Sequence, residues 1–452
     1  MKGTIIMKEF SFKNMILNIP EQFYSKGAFL ILMMYILSLP IVLFHVAFFW
    51  DNLIGIFLFT CGTIAQLFVG LYILSRFVRG EFSSFKSLLN LNIWDLLLLI
   101  LLLWSTISAF LADDLELALM GNLYRSEGLT MYFNYAAVFI CGKLVKDSNL
   151  RNIVLISFII SISLLAITVF LQTTPELLDS LGTIGHNLSG GGSNTAHRSA
   201  IFLNRNHFAY MLTLCLLGFA GYSIFSNGFL HISSLLLFAL NFFALMINDT
   251  FGCYLAVLMG LLLLGILSYF INPRLVKRVF FLLIIFMGIT IACEFWGIGS
   301  VSKDFDIMMD SSPDQLQEDS IDTGHLRLIL WEKAIECILE KPVFGYGPEG
   351  LYYIYTDGGF ENNRPHNEYI QMAAFHGIPA LCMYLGSLVS LFLYCMKNLK
   401  NLPKELIIIG GMIFSYCVSA FFGNTMYYTT PYFYLFFGIL SGVTSKKLDL
   451  IV

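Results

Sequence analysis

Charged residues are scarce in this sequence. Of its 452 residues only 12% are Asp, Glu, Lys or Arg, whereas 57% are hydrophobic, and soluble globular domains carry about 25% charged residues. Together with a mean hydropathy of +0.76, this scarcity excludes a soluble enzyme, a disordered protein and a coiled coil. It also excludes an outer-membrane barrel, whose strands alternate polar and apolar residues over ~10-residue segments. The composition therefore predicts an all-α fold, a polytopic transmembrane helical bundle.

Metal-binding patterns are also missing. No two of the nine cysteines lie at metal-ligand spacing, and eight of them lie in apolar runs, which is typical of small core residues. An acidic stretch, 302–322, contains Asp304 and Asp306, but its many further acidic residues favour a solvated segment over a metal site. We therefore expect neither a metal nor another cofactor.

About twelve segments are long and apolar enough to cross a membrane, which takes about 20 mostly apolar residues. Two of them, 129–145 and 428–444, are short and rich in Tyr and Phe. The predicted spans are 28–50, 52–75, 93–112, 129–145, 152–172, 207–225, 230–248, 251–271, 279–297, 378–396, 404–422 and 428–444.

The distribution of Lys and Arg predicts the orientation, because these residues are retained on the cytoplasmic side of the cell (inner) membrane. With the N-terminus inside, 18 of the 26 basic residues fall in inside segments. An even number of spans then places both termini in the cytoplasm. Five of the eight remaining basic residues are arginines in outer segments, namely Arg125, Arg198, Arg205, Arg327 and Arg364.

Three outer segments are longer than turns: 113–128, 173–206 and 298–377. Within the third, residues 323–341 start with Thr323 as a predicted N-cap, carry apolar residues at helical spacing and end before Pro342. About 19 residues with several charges favour an amphipathic helix that lies on the membrane or covers a cavity. We therefore expect the functional residues at the outer face.

Polar residues in these outer segments suit a substrate that carries phosphate. Arg198, Arg205 and Arg327 supply planar, permanently charged guanidinium groups, which bind phosphate or diphosphate well. His366 lies where the third segment returns to the membrane, and the pKa of histidine suits a general base near neutral pH. This combination suggests transfer from a lipid diphosphate. From the residues alone, a structural histidine that helps to turn the chain is at least as good an interpretation.

Three sequence blocks follow one another between residues 198 and 380. They run from Arg198 through Asn204-Arg-Asn206 to Ala209, from Arg327 through Trp331 to Gly345-Tyr-Gly347, and from Pro365-His366-Asn367 to Gly377, and a shorter motif surrounds Arg125. In these blocks the sequence resembles the O-antigen ligase and O-antigen polymerase family of bacterial membrane proteins.

The resemblance implies a metal-independent membrane glycosyltransferase with a GT-C-like helical bundle. Its donor would be a polyprenyl-diphosphate-linked glycan, and its acceptor would be a hydroxyl of a second glycan or glycolipid. The protein would lie in the lipid bilayer and would bind no nucleic acid. By resemblance, His366 activates the acceptor hydroxyl, while Arg327 and either Arg198 or Arg205 bind the diphosphate. The supporting residues would be Arg125, Asn204, Asn206, Trp331 and Asn367.

The predicted organisation has N-terminal transmembrane helices over 1–172, an O-antigen ligase-like core over 173–397 and C-terminal transmembrane helices over 398–452. The motifs are shared by ligases and polymerases, so they do not separate the two. A transporter or flippase of anionic lipid-linked glycans is a further alternative, although ionisable residues are missing deep in the spans. Tyr427, Tyr428, Tyr432 and Tyr434 predict either sugar stacking or an interfacial aromatic belt.

Overall fold

A computed structural model describes residues 12–42, 50–81, 91–122, 127–180, 198–202, 204–299, 324–359, 364–424 and 426–444. Within these ranges the protein is an all-α polytopic bundle without β-strands. Arg125, Thr323, the acidic stretch 302–322 and both chain termini lie outside the described residues, as do large parts of the outer segments 173–206 and 298–377.

Connections of very different length separate the described helices. In chain order they are α1 Phe12–Leu17, α2 Glu21–Val42, α3 Trp50–Val78, α4 Ile93–Phe110, α5 Leu115–Met120, α6 Leu129–Leu144, α7 Ser148–Gln172, α8 Pro175–Ser180, α9 Arg205–Phe225, α10 Gly228–Asn248, α11 Phe251–Ile271, α12 Val276–Phe295, α13 Gly324–Glu340, α14 Tyr352–Asp357, α15 Glu368–His376, α16 Ile378–Lys397, α17 Lys404–Ser419 and α18 Thr430–Thr444.

Among the described residues, ten helical segments have the length and hydropathy of membrane spans, and they coincide with ten of the twelve predicted spans. The other two predictions, 129–145 and 428–444, correspond to α6 with 16 residues and α18 with 15 residues. At 1.5 Å per residue these helices are only about 22–24 Å long, shorter than the ~30 Å hydrocarbon core. They are shorter than the other ten helices, and because a bilayer accommodates a short span by thinning locally, both remain predicted spans. They pack mainly against each other.

Helix α9 occupies the centre of the bundle. Its apolar residues cover the whole circumference, its spanning window is entirely buried, and it packs against α7, α10, α11 and α17. Small residues allow close approach: a Cβ at Gly218 would lie 2.6 Å from Ile159 Cγ2, and one at Gly221 would lie 2.5 Å from Ile408 Cγ1. Because Arg205 is the first residue of α9, its backbone is fixed by the most enclosed helix of the bundle.

Glycines bring α6 and α18 into backbone contact. A Cβ at Gly438 would lie 2.1 Å from the carbonyl oxygen of Phe139, and one at Gly442 would lie 2.6 Å from that of Lys143. Small residues at such crossings let helices approach closely in membranes. This contact fixes the second half of α18, the helix that follows the segment 420–428 described below.

Replacing Gly438 by alanine is expected to destabilise the protein by about 1–3 kcal/mol, the usual range for overpacking a tight interior contact. The measurement is the thermal unfolding midpoint of the detergent-purified protein. Gly288→Ala in α12 is the matched control, because its Cβ would meet no atom within 4 Å. Equal midpoints for the two variants would contradict the close α6–α18 crossing.

The predicted helix over 323–341 is confirmed as α13, Gly324–Glu340. One side of it is buried with α14, α15 and the turn after α13, in a small cluster that contains Leu330, Ala334 and Phe375. Leu328, Ile335 and Leu339, in contrast, remain 47–74% exposed. The helix thus has one apolar side that is packed in the cluster and a second apolar side that is exposed at the protein surface.

The turn after α13 is fixed against the end of α15 and against α4. The backbone N–H of Gly347 donates to Phe375 O over 2.8 Å, and Ser108 Oγ on α4 donates to Phe344 O over 2.6 Å. At Gly377 the φ angle is +85°, and a Cβ would lie 1.9 Å from Val343 O. Only glycine fits there. Together, these contacts connect the turn after α13 to α4 and α15, and so to the membrane bundle.

Candidate functional site

His366 lies in a strained turn immediately before α15. Its φ angle is +52°, a left-handed conformation that is uncommon for residues other than glycine. Its backbone N–H donates to Asn424 Oδ1 over 2.8 Å. The next residue, Asn367, caps α15 by accepting from the backbone N–H groups of Tyr369 and Ile370 at 3.0 and 3.1 Å. The imidazole is half-buried, so the turn is fixed while the side chain keeps access to solvent.

Glu368 adds a buried carboxyl group two residues after His366. Tyr384 Oη donates to its Oε1 over 2.8 Å, and Tyr416 Oη donates to its Oε2 over 3.1 Å. Burial raises the pKa of Glu368 to about 7, against the lowering effect of the two tyrosine hydrogen bonds. The group is therefore poised to change its protonation near neutral pH and anchors the first turn of α15 to α16 and α17.

The first block forms the entry to α9. Asn204 is the N-cap and accepts from the backbone N–H of Asn206 over 2.8 Å, while Asn206 itself is buried. Arg205 begins the helix, and its Nη1 lies 4.0 Å from Asp249 Oδ2, with 28% of the arginine side chain exposed. Arg198 has a φ angle of +48°, and its Nη1 donates to Ile247 O over 3.4 Å.

One side chain joins Arg198 to Arg205. Asn248 Nδ2, at the end of α10, donates to Arg198 O over 3.1 Å and to Arg205 O over 3.2 Å. The amide is itself oriented by Thr250, whose hydroxyl donates to Asn248 Oδ1 over 2.8 Å. Both arginines are therefore anchored at the α10–α11 junction, and both remain candidates for binding a diphosphate.

Arg327 lies in the first turns of α13 and is half-buried. It is close enough to Cys253, near the start of α11, for its charge to act on that thiol. This places a third guanidinium near the α10–α11 junction. Trp331 follows one turn later on the same side of α13, and its indole N–H has no hydrogen-bond partner among the described residues.

The segment 420–428, of which the structure describes 420–424 and 426–428, joins the first block to the third. On one side, Tyr210 Oη of α9 donates to Phe422 O over 2.9 Å, and the ring of His207 lies 5.1 Å from that of Tyr428. On the other side, Asn424 holds His366, and the rings of Phe421 and Tyr369 lie 4.6 Å apart. The structure thereby brings the start of α9 and the His366 turn to one common segment.

Arg364, in contrast, lies inside the protein. Its side chain is fully buried, and its two terminal nitrogens donate to Glu127 Oε2 and Glu349 Oε1. The sequence groups it with four other arginines of the outer segments, but burial separates it from the partly exposed Arg198, Arg205 and Arg327.

A second histidine near the site, His376, differs from His366 in its environment. It is fully buried at the end of α15, and its ring lies 4.9 Å from that of Tyr132. Burial lowers the pKa of His376 to about 3, so this side chain is neutral and poorly suited to accept a proton near neutral pH. Of the two, His366 is therefore the better candidate for a general base.

Three of the four tyrosines at and around α18 are buried inside the bundle. Tyr427, Tyr428 and Tyr432 are at most 5% exposed, and Tyr432 Oη donates to Tyr35 O of α2 over 2.8 Å. The belt interpretation is therefore wrong for these three residues, because they pack inside the bundle rather than at a lipid-facing surface.

Several residues of this region were missed by sequence reasoning. A polar triplet separates two apolar runs and consists of Asn248, Asp249 and Thr250. This pattern could have indicated a structured junction between two helices. Asn424 is 58 residues from its partner His366, and nothing local in the sequence links the two. In the described part of the chain no group of three His, Cys, Asp or Glu residues could hold a metal ion.

The fold and these positions define the class: an integral membrane protein whose polar residues gather at one end of a helical bundle. Residues 236–385 match the family model described as O-antigen ligase, which confirms the resemblance seen in the motifs. The matched range contains Arg327, Trp331, His366 and Asn367, whereas Arg198 and Arg205 precede it.

Two curated proteins are similar to this chain. The "Putative polysaccharide ligase" of Rickettsia prowazekii (strain Madrid E) is 31% identical over an alignment of 192 residues that covers 39% of this chain and 43% of the relative. The protein of the same name from Rickettsia typhi (strain ATCC VR-144 / Wilmington) is also 31% identical over 192 residues, with the same coverage. The chain thus spans less than half the length of the curated relatives it matches.

Proposed function

We propose that the protein is a membrane glycosyltransferase that moves a polyprenyl-diphosphate-linked glycan onto an acceptor hydroxyl in cell-surface polysaccharide biosynthesis. The observation that carries the proposal is the segment 420–428, which holds the His366 turn and packs against the arginine-bearing start of α9. The match to the O-antigen ligase family model and the names of the relatives support the same class of reaction.

In the proposed reaction the acceptor oxygen attacks the anomeric carbon of the donor sugar. The bond between that carbon and the diphosphate oxygen breaks, and the electron pair leaves with the lipid diphosphate. His366 takes the proton of the acceptor hydroxyl, a type of help that contributes about 100- to 10,000-fold to the rate. Direct displacement inverts the configuration at the anomeric carbon.

The arginines have a different task in this scheme. Arg327 and one or both of Arg198 and Arg205 compensate the charge that develops on the leaving diphosphate. Fixed donors in a site shielded from water are effective at this, and removing one typically lowers the rate about 100- to 1000-fold. The anchoring of Arg198 and Arg205 by Asn248 supports such a preorganised role. Arg125, Asn204, Asn206, Trp331 and Asn367 would support the site.

We expect the transfer reaction to need no divalent metal, because arginine already supplies the positive charge that the diphosphate requires. Activity in an excess of chelator should match activity in added magnesium. The assay follows transfer of lipid-linked glycan extracted from the source organism, in EDTA and in MgCl₂ or MnCl₂. Loss of activity in EDTA that returns with either metal would contradict this and make Asp304 and Asp306 candidate ligands.

The proposed orientation places both termini in the cytoplasm and the site at the outer face of the cell membrane, following the basic residues. A cysteine introduced at Asp314 should then react with a membrane-impermeant maleimide added to intact cells. A cysteine introduced at Lys400, which belongs to the predicted inside group, should react only after the cells are broken. If the cysteine at position 314 did not react with the maleimide in intact cells, the proposed orientation would be contradicted.

A further inference from the structure

Arg364 has the largest fully buried side chain in the described part of the molecule, and it lies two residues before His366. One guanidinium nitrogen donates to Glu127 and another to Glu349, and Tyr135 Oη donates to the second oxygen of Glu127 over 2.8 Å. A guanidinium suits this arrangement because its planar fork can serve two carboxyl groups at once. Since Arg364 is 0% exposed, its charge faces these two partners rather than a substrate.

The three members of this cluster come from separate parts of the chain. Glu127 lies two residues before α6, Glu349 follows the Gly345-Tyr-Gly347 turn, and Arg364 begins the segment that leads to His366. The guanidinium therefore connects the His366 turn to α6 and to the turn after α13.

Backbone strain indicates why such a connection is needed. His366 has a φ angle of +52°, and Glu349, which holds Arg364, has one of +59°. Residues other than glycine persist in this conformation only when their surroundings impose it. At His366 the constraint comes from both sides, since Arg364 anchors the chain before it and Asn424 holds its N–H group.

We propose that Arg364 is a positioning residue: through Glu127 and Glu349 it holds the His366 turn in the conformation that presents the imidazole for proton transfer. The link to catalysis rests on the proposed function, whereas the effect on the orientation of His366 does not.

The test measures how fast diethyl pyrocarbonate acylates His366 in the detergent-purified full chain, followed by mass spectrometry of the His366 peptide. Arg364→Gln is expected to speed this labelling about fivefold or more, because the imposed left-handed conformation can relax. Arg364→Lys keeps the charge but not the fork, and it should speed labelling as well. Arg151→Gln is the matched control: it breaks another buried Arg–Glu pair, with Glu405, at the far end of the central helices.

A triple variant separates positioning from general stability. In Arg364→Gln with Glu127→Gln and Glu349→Gln no buried carboxylate is left unpaired, so the thermal midpoint should recover relative to Arg364→Gln alone. Burial already raises the pKa of Glu127, against the effect of Arg364, so the neutral amide is a close substitute there. The labelling of His366 should remain fast, because one amide cannot replace the fork.

Two results would overturn the proposal. One is wild-type labelling of His366 in a folded Arg364→Gln or Arg364→Lys protein. The other is a triple variant in which thermal stability and labelling rate both return to wild type, as expected for a purely structural cluster. The labelling involves no glycan, so its result tests the positioning role of Arg364 and not the proposed function. The proposed function fails separately, if glycan transfer does not depend on His366.

Discussion

The alanine variant of His366 is expected to lose glycan transfer almost completely while it still binds polyprenyl diphosphate. Losing a positioned general base lowers a rate by about 100- to 10,000-fold. A neutral imidazole compensates none of the charge of the diphosphate, so little ground-state affinity should depend on it. The measurements are the transfer rate with extracted lipid-linked glycan and the binding of polyprenyl diphosphate, both with purified protein.

His231→Ala is the matched control for this variant. His231 is near the start of α10, where its ring contacts Ser223 O of α9 at 2.5 Å, about a full helix length from Arg205. Transfer by the control should stay near the wild-type rate. A folded His366→Ala protein that transfers glycan at a near-normal rate would exclude His366 as the base.

Arg327→Ala should lower the transfer rate and the affinity for polyprenyl diphosphate together. The guanidinium would contact the diphosphate both before and during bond breaking, so its loss affects ground state and transition state alike. We expect a rate about 100- to 1000-fold lower. Arg327→Lys should also be poor, because a single ammonium group does not reproduce the two parallel hydrogen bonds of the fork.

Lys333→Ala provides the comparison on the same helix. Lys333 pairs with Glu336 at the surface over 2.9 Å, and an exposed pair of this kind contributes little to stability. It should leave both affinity and rate unchanged. If Arg327→Ala and Lys333→Ala behaved alike, the diphosphate would be bound elsewhere, and Arg198 and Arg205 would become the leading candidates.

Sequence reasoning is effective for the long helices, because hydropathy alone specifies them. Ten predicted spans have the length and hydropathy expected of them, and the amphipathic helix α13 follows from the spacing of its apolar residues. The short helices α6 and α18 are harder, because their stability comes from contact with each other. Two glycines, Gly438 and Gly442, permit this contact. Their role cannot be predicted from the sequence until the partner helix is known.

The candidate site is predicted less completely, for a related reason. Arg205 is a candidate by its residue type and motif, whereas Asn204 and Asn367 are candidates only through the family resemblance, and the structure shows both asparagines as helix N-caps. Arg364 has the same residue type as the exposed arginines, and only its burial against two carboxyl groups distinguishes it. The role of Asn424 likewise depends on a hydrogen bond between distant parts of the chain, which no local pattern contains.

The most direct test of the proposed function is a reconstitution of the purified protein in liposomes that contain lipid-linked glycan and acceptor from the source organism. The readout is the release of free polyprenyl diphosphate together with the appearance of glycan on the acceptor. We predict that the two products form in equal amounts with the wild-type protein and are absent with His366→Ala. Movement of the intact lipid-linked glycan across the bilayer without release of polyprenyl diphosphate would contradict the account and indicate a flippase instead.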